Sequence, residues 1–525
     1  MGKRLSGCVT STRFRAAQLL LVTTDVFPEL SLSEAEREID AHIFARTPEA
    51  DHEAKLLRVA QALSLLGDPH RSLDIIHVTG TNGKTSTSRM IESLLRAHGL
   101  RTGLFTSPHL TTLRERIMID GAPLAQDALV RLWQHVSPAI HAVDQASLQR
   151  GGPRMSFFEV LTVLGFVAYA DAKVDVLVLE VGIGGLRDAT NVADGRVAVL
   201  TPMARDHDKY FVGGLPGVAH EKSGIIKPGA TVVSALQKDE AAQIIVAAAA
   251  QRQASVFWEG AHMSVASRRV VPGGQVVTLR TAARNYVDVF VPLHGEFQAQ
   301  NALIALAAAE AFMGDGVPRA LSLPAVARGF AGATSPGRME VVSAEPTVIV
   351  DAAHNPHGIA ALADTLRETF SFDRLVGVVA VLADKDADGI LTGLAGLIDE
   401  VVITQTRSHR AADAEQLAER ARVVFGADRV RVAASVPDAV QMATAIAAEA
   451  DGEAGVLIAG SITLVGEARR HLQATHMPVT VDAHTVVTAS APADAPVEEA
   501  PLAARDQGIG DSPLEDAGDA GAVPA

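Results

Sequence analysis

Two rhythms of apolar residues alternate along most of this chain. Ile75–Thr79 is a mostly apolar run of strand length, followed by a glycine-containing turn. Thr85–Ala97 then carries Met90, Ile91, Leu94 and Leu95 at helical spacing and stops at Gly99. Thr102–Thr106 reads as a strand and Met155–Tyr169 as a mostly apolar helix, with Val174–Leu179, Val197–Thr201 and Thr231–Ser234 as further strands. Upstream, Ser33–Ala54 is charged and helix-compatible, and Leu56, Leu57, Val59, Leu63 and Leu66 make one helical stripe ending near Gly67 and Pro69. Apolar strands alternating with helices predict a mostly parallel sheet covered on both faces.

The pattern changes at 265–292, where Val270–Val271, Gln275–Leu279 and Val287–Val291 suggest antiparallel hairpins. An alanine-rich helix, Asn301–Phe312, follows, and Gly332, Pro336 and Gly337 cluster at a plausible boundary. A second α/β alternation begins there. Its strands are Val348–Val350, Leu375–Leu382, Val401–Thr404, Val430–Val432 and Gly455–Ala459, with helices at His357–Leu366, Ala412–Val423 and Ala439–Ala450. The expected division is an extension at 1–34, a first α/β domain at 35–332, a second at 337–477 and a disordered acidic Ala/Pro-rich tail at 484–525.

The length of 525 residues already requires more than one core. Aromatic residues are only 4% of the chain, so aliphatic side chains must fill those cores. The net charge of −15 opposes a nucleic-acid partner, although it leaves room for small anions held by local Lys, Arg and backbone N–H groups. Cys8 is the one cysteine, which excludes an intrachain disulfide and a cysteine metal cluster and suits a cytoplasmic protein. Leu19–Val22 is too short for a membrane span, and no other run reads as one, so no membrane role is expected.

Candidate chemistry starts at Gly80-Thr81-Asn82-Gly83-Lys84-Thr85-Ser86, placed between a strand and a helix. Glycines let the backbone approach a phosphate, the helix start offers free N–H groups, Lys84 can reach phosphate oxygens and the Thr85 hydroxyl can face Mg²⁺. Val78 stands where the full phosphate-loop pattern has its first glycine. Glu180 follows a strand and precedes Gly182, Gly184 and Gly185, at the sheet edge where open parallel sheets bind ligands. Asp206, His207 and Asp208 lie beyond another strand, with oxygen ligands the more usual choice for Mg²⁺. Lys222 next to Glu221 reads equally as an ion pair or as a catalytic group. Asp351 and His354 mark the edge of the second unit, with Asn355 as helix cap and Pro356 at its first position. Arg338 can bring positive charge to a nucleotide.

Together these residues resemble the folylpolyglutamate synthase/dihydrofolate synthase branch of the Mur ligase superfamily. The likeness is carried by Gly80–Thr85, Thr106-Ser107-Pro108-His109-Leu110, Ser156-Phe157-Phe158-Glu159 and Leu179–Gly185. It continues in Asp188-Ala189-Thr190-Asn191, Asp206-His207, Glu221–Ile225, Gly295 with Gln298 and Asn301, Pro336-Gly337-Arg338, Asp351–Pro356 and Asp384-Lys385-Asp386. The resemblance implies an α/β fold with an N-terminal P-loop ATPase-type domain and a C-terminal Rossmann-like domain. It implies a monomeric ligase that uses ATP and two Mg²⁺ ions to join L-glutamate to dihydropteroate, to reduced folates, or to both, through an acyl phosphate. Lys84, His207, Lys222, Asp351 and His354 would then be catalytic. Gly80 to Ser86, Asn301, Arg338 and Asp351 would bind nucleotide. Thr85, Glu180, His207 and a carbamylated Lys222 would serve the metal, and Ser107, Pro108, His109, Asp188, Thr190 and His354 the substrate.

The chain departs from the family at Leu186-Arg187, where the family usually has Arg then Leu. A shifted guanidinium would weaken substrate binding or change specificity. Two other readings compete. A peptidoglycan-precursor ligase would share the ATP chemistry, but only 79 residues precede Gly80 to hold a carrier domain. A catalytically weak ATP-binding regulator would fit the altered turn but not the retained Lys84, Thr85, Glu180, His207 and Lys222.

Overall fold

The structure is a computed structural model that describes residues 30–47, 55–204 and 211–475. Most of the expected extension, Asp206–Asp208 and the acidic tail lie outside the described residues.

An eight-stranded sheet organises the first part of the chain. Its spatial order is Ala122–Pro123, Ile117–Ile119, Thr102–Phe105, Val176–Glu180, Ile75–Thr79, Gly195–Leu200, Thr231–Ser234 and Ser255–Trp258. The last six are parallel and the first two make an antiparallel edge. Every residue of Ile75–Thr79 and Val176–Glu180 is buried, because helices cover both faces of the sheet. One face packs against the helices Lys84–Ala97, Glu296–Met313 and Leu323–Ala331. The other packs against Phe157–Ala172, Gln126–Gln149, Lys55–Leu65 and Leu32–Phe44.

Several boundaries move for local reasons. The helix expected from Met155 starts at Phe157, since Ser156 and Glu159 form a reciprocal cap. Ser31 and Glu34 do the same ahead of Leu32–Phe44. The strand expected at Val174–Leu179 runs Val176–Glu180, so Glu180 is its last residue and not the one after it. The helix Gln126–Gln149 was not foreseen. Pro138 inside it normally signals a break, yet Leu129, Leu132, Trp133, Val136, Ile140 and Val143 give it a continuous buried stripe.

Ser264–Val271, Gly274–Arg280 and Asn285–Val291 form a separate antiparallel sheet, as the alternation predicted. The later α/β unit is a six-stranded sheet ordered Glu340–Ala344, Thr347–Asp351, Ala454–Ala459, Arg374–Val379, Glu400–Ile403 and Val430–Val432. All its pairings are parallel except the opening hairpin. Thus the carboxyl ends of Ile75–Thr79, Val176–Glu180 and Thr347–Asp351 carry the groups singled out from the sequence.

Candidate active site

The turn after Ile75–Thr79 depends on two glycines. Gly80 has φ 149° and sits so close to Thr201 that a side chain would collide with it. Gly83 has φ 86° and precedes the helix Lys84–Ala97, and a Cβ there would lie 2.5 Å from Asn301 Oδ1. Thr81 N–H donates to Pro202 O at 3.0 Å, and Thr81 Oγ1 to Ala204 O at 3.0 Å, tying the loop to the next strand end. On the far side, Asn301 donates to Gln298 Oε1 (3.0 Å), and Gln298 to Ser86 Oγ (3.3 Å). A helix start facing open loop N–H groups is an anion cradle.

Two lysines converge on this turn. Lys84 Nζ donates to Gly80 O at 3.0 Å and Thr81 O at 3.2 Å. Lys222 Nζ, from the helix Gly214–Ser223, donates to the same Gly80 O at 2.7 Å and is buried. Glu180 closes the group. Its Oε1 accepts from Thr85 Oγ1 at 2.8 Å and its Oε2 from Ser107 N–H at 3.2 Å. Burial raises the Glu180 pKa, opposed by the Lys84 charge and by the hydrogen bonds from Thr85 and Ser107. His207 lies outside the described residues, and among those described no three His, Cys, Asp or Glu side chains are grouped so as to hold a metal ion.

The segment Ser107–Thr112 crosses the front of this group. The sequence reading stopped at His109 and Leu110 and missed what holds them. Glu115 Oε2 accepts from Leu110 N–H at 2.8 Å, and Oε1 from Thr111 and Thr112 N–H at 3.0 Å each and from the Thr111 hydroxyl. Arg116 Nε donates to His109 Nδ1 at 2.8 Å while its guanidinium lies 5.0 Å from the Phe157 ring centre. Burial, reinforced by Arg116, lowers the His109 pKa to about 3, so the imidazole is a neutral acceptor. Pro108 follows a cis peptide bond. The spacing Thr112-x-x-Glu115, a capping box in the structure, was the available signal.

Asp188 and Thr190 form a tight buried unit. Asp188 Oδ1 accepts from Thr190 N–H (2.9 Å) and Thr190 Oγ1 (2.5 Å), and Oδ2 from Ile183 N–H (3.1 Å). With the Thr190 proton committed, His77 Nε2, 3.0 Å away, acts as donor to Thr190 Oγ1. Burial holds the His77 pKa at about 3 and raises that of Asp188. The exchanged turn nearby keeps its guanidinium engaged. Arg187 Nε donates to Glu221 Oε2 at 3.0 Å and Arg187 N–H to Oε1 at 2.8 Å, while Leu186 N–H reaches Glu221 O at 2.7 Å. Arg187 therefore anchors the residue next to Lys222.

The second sheet supplies the opposite edge. Asp351 accepts from Met339 N–H (2.8 Å) and Ala353 N–H (2.7 Å). Burial raises its pKa, with Arg338 pulling it down. His354 Nδ1 lies 2.9 Å from Ala352 O. Asn355 caps the helix Pro356–Thr369 as its sequence suggested, accepting from Gly358 N–H at 2.7 Å. Asn82 Nδ2 meets His357 Nδ1 at 3.1 Å, and Ser86 Oγ meets Ser335 Oγ at 2.8 Å, so the second unit lies directly against the phosphate loop. The structure thus gathers Gly80–Ser86, Ser107, Glu180, Lys222 and Asn301 at one sheet edge. Asp188 and Thr190 form a separate hydrogen-bonded group beside it.

Two family descriptions match the chain: the Mur ligase middle domain over residues 78–309, and the Mur ligase glutamate ligase domain over residues 337–462. With the nucleotide-type loop and paired α/β sheets, they make the chain an ATP-dependent ligase of the Mur type. It is 45% identical over 443 residues to the dihydrofolate synthase/folylpolyglutamate synthase of Mycobacterium tuberculosis, covering 81% of this chain and 91% of that one. It is 31% identical over 419 residues to the Bacillus subtilis enzyme of the same name, covering 79% and 94%. The chain belongs to the dihydrofolate synthase/folylpolyglutamate synthase family. Crystal structures of the Mycobacterium tuberculosis folylpolyglutamate synthase complexed with ADP and AMPPCP match with a TM-score of 0.79 at 43% identity, covering 85% of this chain and all of that one. A folylpolyglutamate synthase structure with AMPPCP and folate bound matches with a TM-score of 0.70 at 30% identity, covering 84% and 100%.

Proposed function

We propose that this enzyme joins L-glutamate to dihydropteroate, to reduced folates, or to both, at the expense of ATP. The observation that carries the reading is the convergence of Lys84, Lys222, Thr85, Glu180 and the Ser107 loop at one sheet edge, in a chain 45% identical to a relative named dihydrofolate synthase/folylpolyglutamate synthase. An acceptor carboxylate oxygen attacks the γ-phosphorus of ATP, the bond to ADP breaks, and an acyl phosphate forms. The glutamate amine then attacks the acyl carbon, phosphate leaves and the amine gives up a proton. Lys84 and the loop N–H groups hold the transferring phosphoryl group as its charge builds. Asn301, Arg338 and Asp351 serve the nucleotide, His354 the placement of glutamate, and Ser107–His109 with Asp188 and Thr190 the pteroyl acceptor.

The donor set fits Mg²⁺. Thr85 hydroxyl and Glu180 carboxylate are hard oxygen groups already 2.8 Å apart, and Glu180 is buried without a guanidinium or ammonium hydrogen-bonded to it among the described residues. When bound, the ion would draw charge from the transferring phosphoryl oxygens. His207 completes the proposed set. Carbamylation of Lys222 has a physical motive here. Two ammonium groups share the Gly80 carbonyl, and converting one to a carbamate replaces repulsion by attraction and adds an oxygen donor. We also propose that the enzyme acts as a cytoplasmic monomer, with the division 35–332 and 337–477.

The test is product mass after incubation with ATP, Mg²⁺ and L-glutamate. Adducts one glutamate heavier on dihydropteroate and on tetrahydrofolate mean a bifunctional enzyme. An adduct on one assigns that reaction alone, and none on either refutes the proposal.

A further inference from the structure

Arg89 stands one turn beyond Thr85 on the same face of the helix Lys84–Ala97. Its Nε is sealed from solvent and has no hydrogen-bond partner among the described residues. The charges that reach it are Glu180, Glu115, Glu92 and Arg338. Each carboxylate is engaged elsewhere. Glu180 serves Thr85 and Ser107, and Glu115 serves the N–H groups of Leu110, Thr111 and Thr112. Glu92 accepts from Arg96 Nε at 2.8 Å and Thr102 Oγ1 at 2.6 Å. Arg338, which donates to Gly337 O at 3.1 Å, adds a second positive charge from the linker side. A half-buried guanidinium whose Nε–H has no acceptor among the described residues can still offer its outer N–H groups to an anionic ligand.

We propose that Arg89 binds the carboxylate of the acceptor that is about to be phosphorylated. The position selects a carboxylate over the nucleotide. Phosphates are held by the N–H groups of residues 81–85 and by Lys84, at the helix start, whereas Arg89 lies one turn further along that helix, where the charges of Glu180 and Glu115 reach it. This rests on the ligase reading above and adds the residue that orients the reacting group.

The experiment uses the full chain with Arg89→Met and Arg89→Lys. Dissociation constants are measured for a non-hydrolysable ATP analogue, for the acceptor, and for an acceptor whose reacting carboxylate is a carboxamide. Arg89→Met is expected to weaken the carboxylate acceptor about ten- to hundredfold. The carboxamide and the ATP analogue should bind as before, with Arg89→Lys showing a smaller loss of the same selectivity. Equal losses for carboxylate and carboxamide overturn the proposal, as does a loss confined to the ATP analogue. If Arg89→Met does not fold, Arg89→Lys decides by the same comparison. Wild-type protein that forms no glutamate adduct refutes the ligase substrates independently, because the selectivity test concerns binding alone.

Discussion

Replacing Glu115 by glutamine is the sharpest probe of the segment that crosses the site. The carboxylate gives one oxygen to Leu110 N–H and the other to Thr111 and Thr112 N–H and the Thr111 hydroxyl. Glutamine must point its NH₂ at one of these sets, whichever way it turns. One charge-assisted hydrogen bond is lost and a donor faces a donor, which together cost about 2–4 kcal/mol. At about 1.4 kcal/mol per decade, amide exchange at residues 110–112 should accelerate at least about thirtyfold. Acceptor KM should rise while the ATP dissociation constant holds. The pH dependence adds a second check. Burial lifts the Glu115 pKa, but the Thr111 hydroxyl and the three N–H groups outweigh it, and the net shift is downward from 4.5. The stabilisation is therefore complete above 4.5 and disappears as pH falls through the lower folded value. Wild-type exchange at 110–112 should accelerate on acidification after correction for intrinsic rates, and Glu115→Gln should lack that transition. Unchanged exchange and unchanged acceptor KM in the variant would refute the assignment.

Glu310 offers a different pH signature. Burial raises its pKa from 4.5 to about 7 despite hydrogen bonds from Tyr286 and Thr281, so the folded protein holds a proton that the unfolded chain releases. Stability should fall by about 3 kcal/mol as pH rises from 4.5 to 7, and urea titrations of Glu310→Gln should lack that slope. Arg187→Ala removes two guanidinium contacts from buried Glu221 but leaves the backbone one, and the arginine side chain is 43% exposed. A stability loss of about 1 kcal/mol is expected, with a larger fall in kcat than in acceptor affinity if the pair positions Lys222. Thr85→Val should lower turnover about a hundredfold while an ATP analogue without Mg²⁺ binds as before, measured by calorimetry and steady-state rates.

The parallel sheets were legible because buried strands such as Ile75–Thr79 and Val176–Glu180 are apolar along their whole length. The phosphate loop was legible because its chemistry is local: glycines, a lysine and a threonine in one turn before one helix. Glu180 and Lys222 were visible as candidates only, since their contacts with Thr85 and Gly80 span 95 and 142 residues of sequence and are made by sheet order. Glu115, Arg116 and Arg89 escaped for the opposite reason. Each is an ordinary charged residue in sequence, and its significance comes from what surrounds it once the chain is folded. The helix Gln126–Gln149 went unread in the sequence, and it accommodates Pro138 because a helix with enough buried stripe tolerates one missing hydrogen bond.

The Leu186–Arg187 turn is tied to the helix Gly214–Ser223 by its own contacts. The turn approaches the helix Gly214–Ser223 so closely that a Cβ on Gly185 would lie 2.7 Å from Glu221 O, and Gly184 adopts φ 89° to permit it. At that separation the Glu221 carboxylate lies within reach of the turn's backbone and of a guanidinium that remains partly in solvent. Arg187 uses that reach, while Leu186 packs against Gly224, where any side chain would collide. In this chain Arg187 therefore anchors the helix that carries Lys222. What the exchange alters is the surface at position 186, where the side chain is apolar and only partly buried, beside Asn191 and the Asp188 unit. The consequence expected from this geometry is a changed preference among acceptors rather than lost ATP chemistry, because Leu186 is tied through its backbone to Glu221 and Asn191, while Thr85 meets Glu180 and both lysines meet the Gly80 carbonyl.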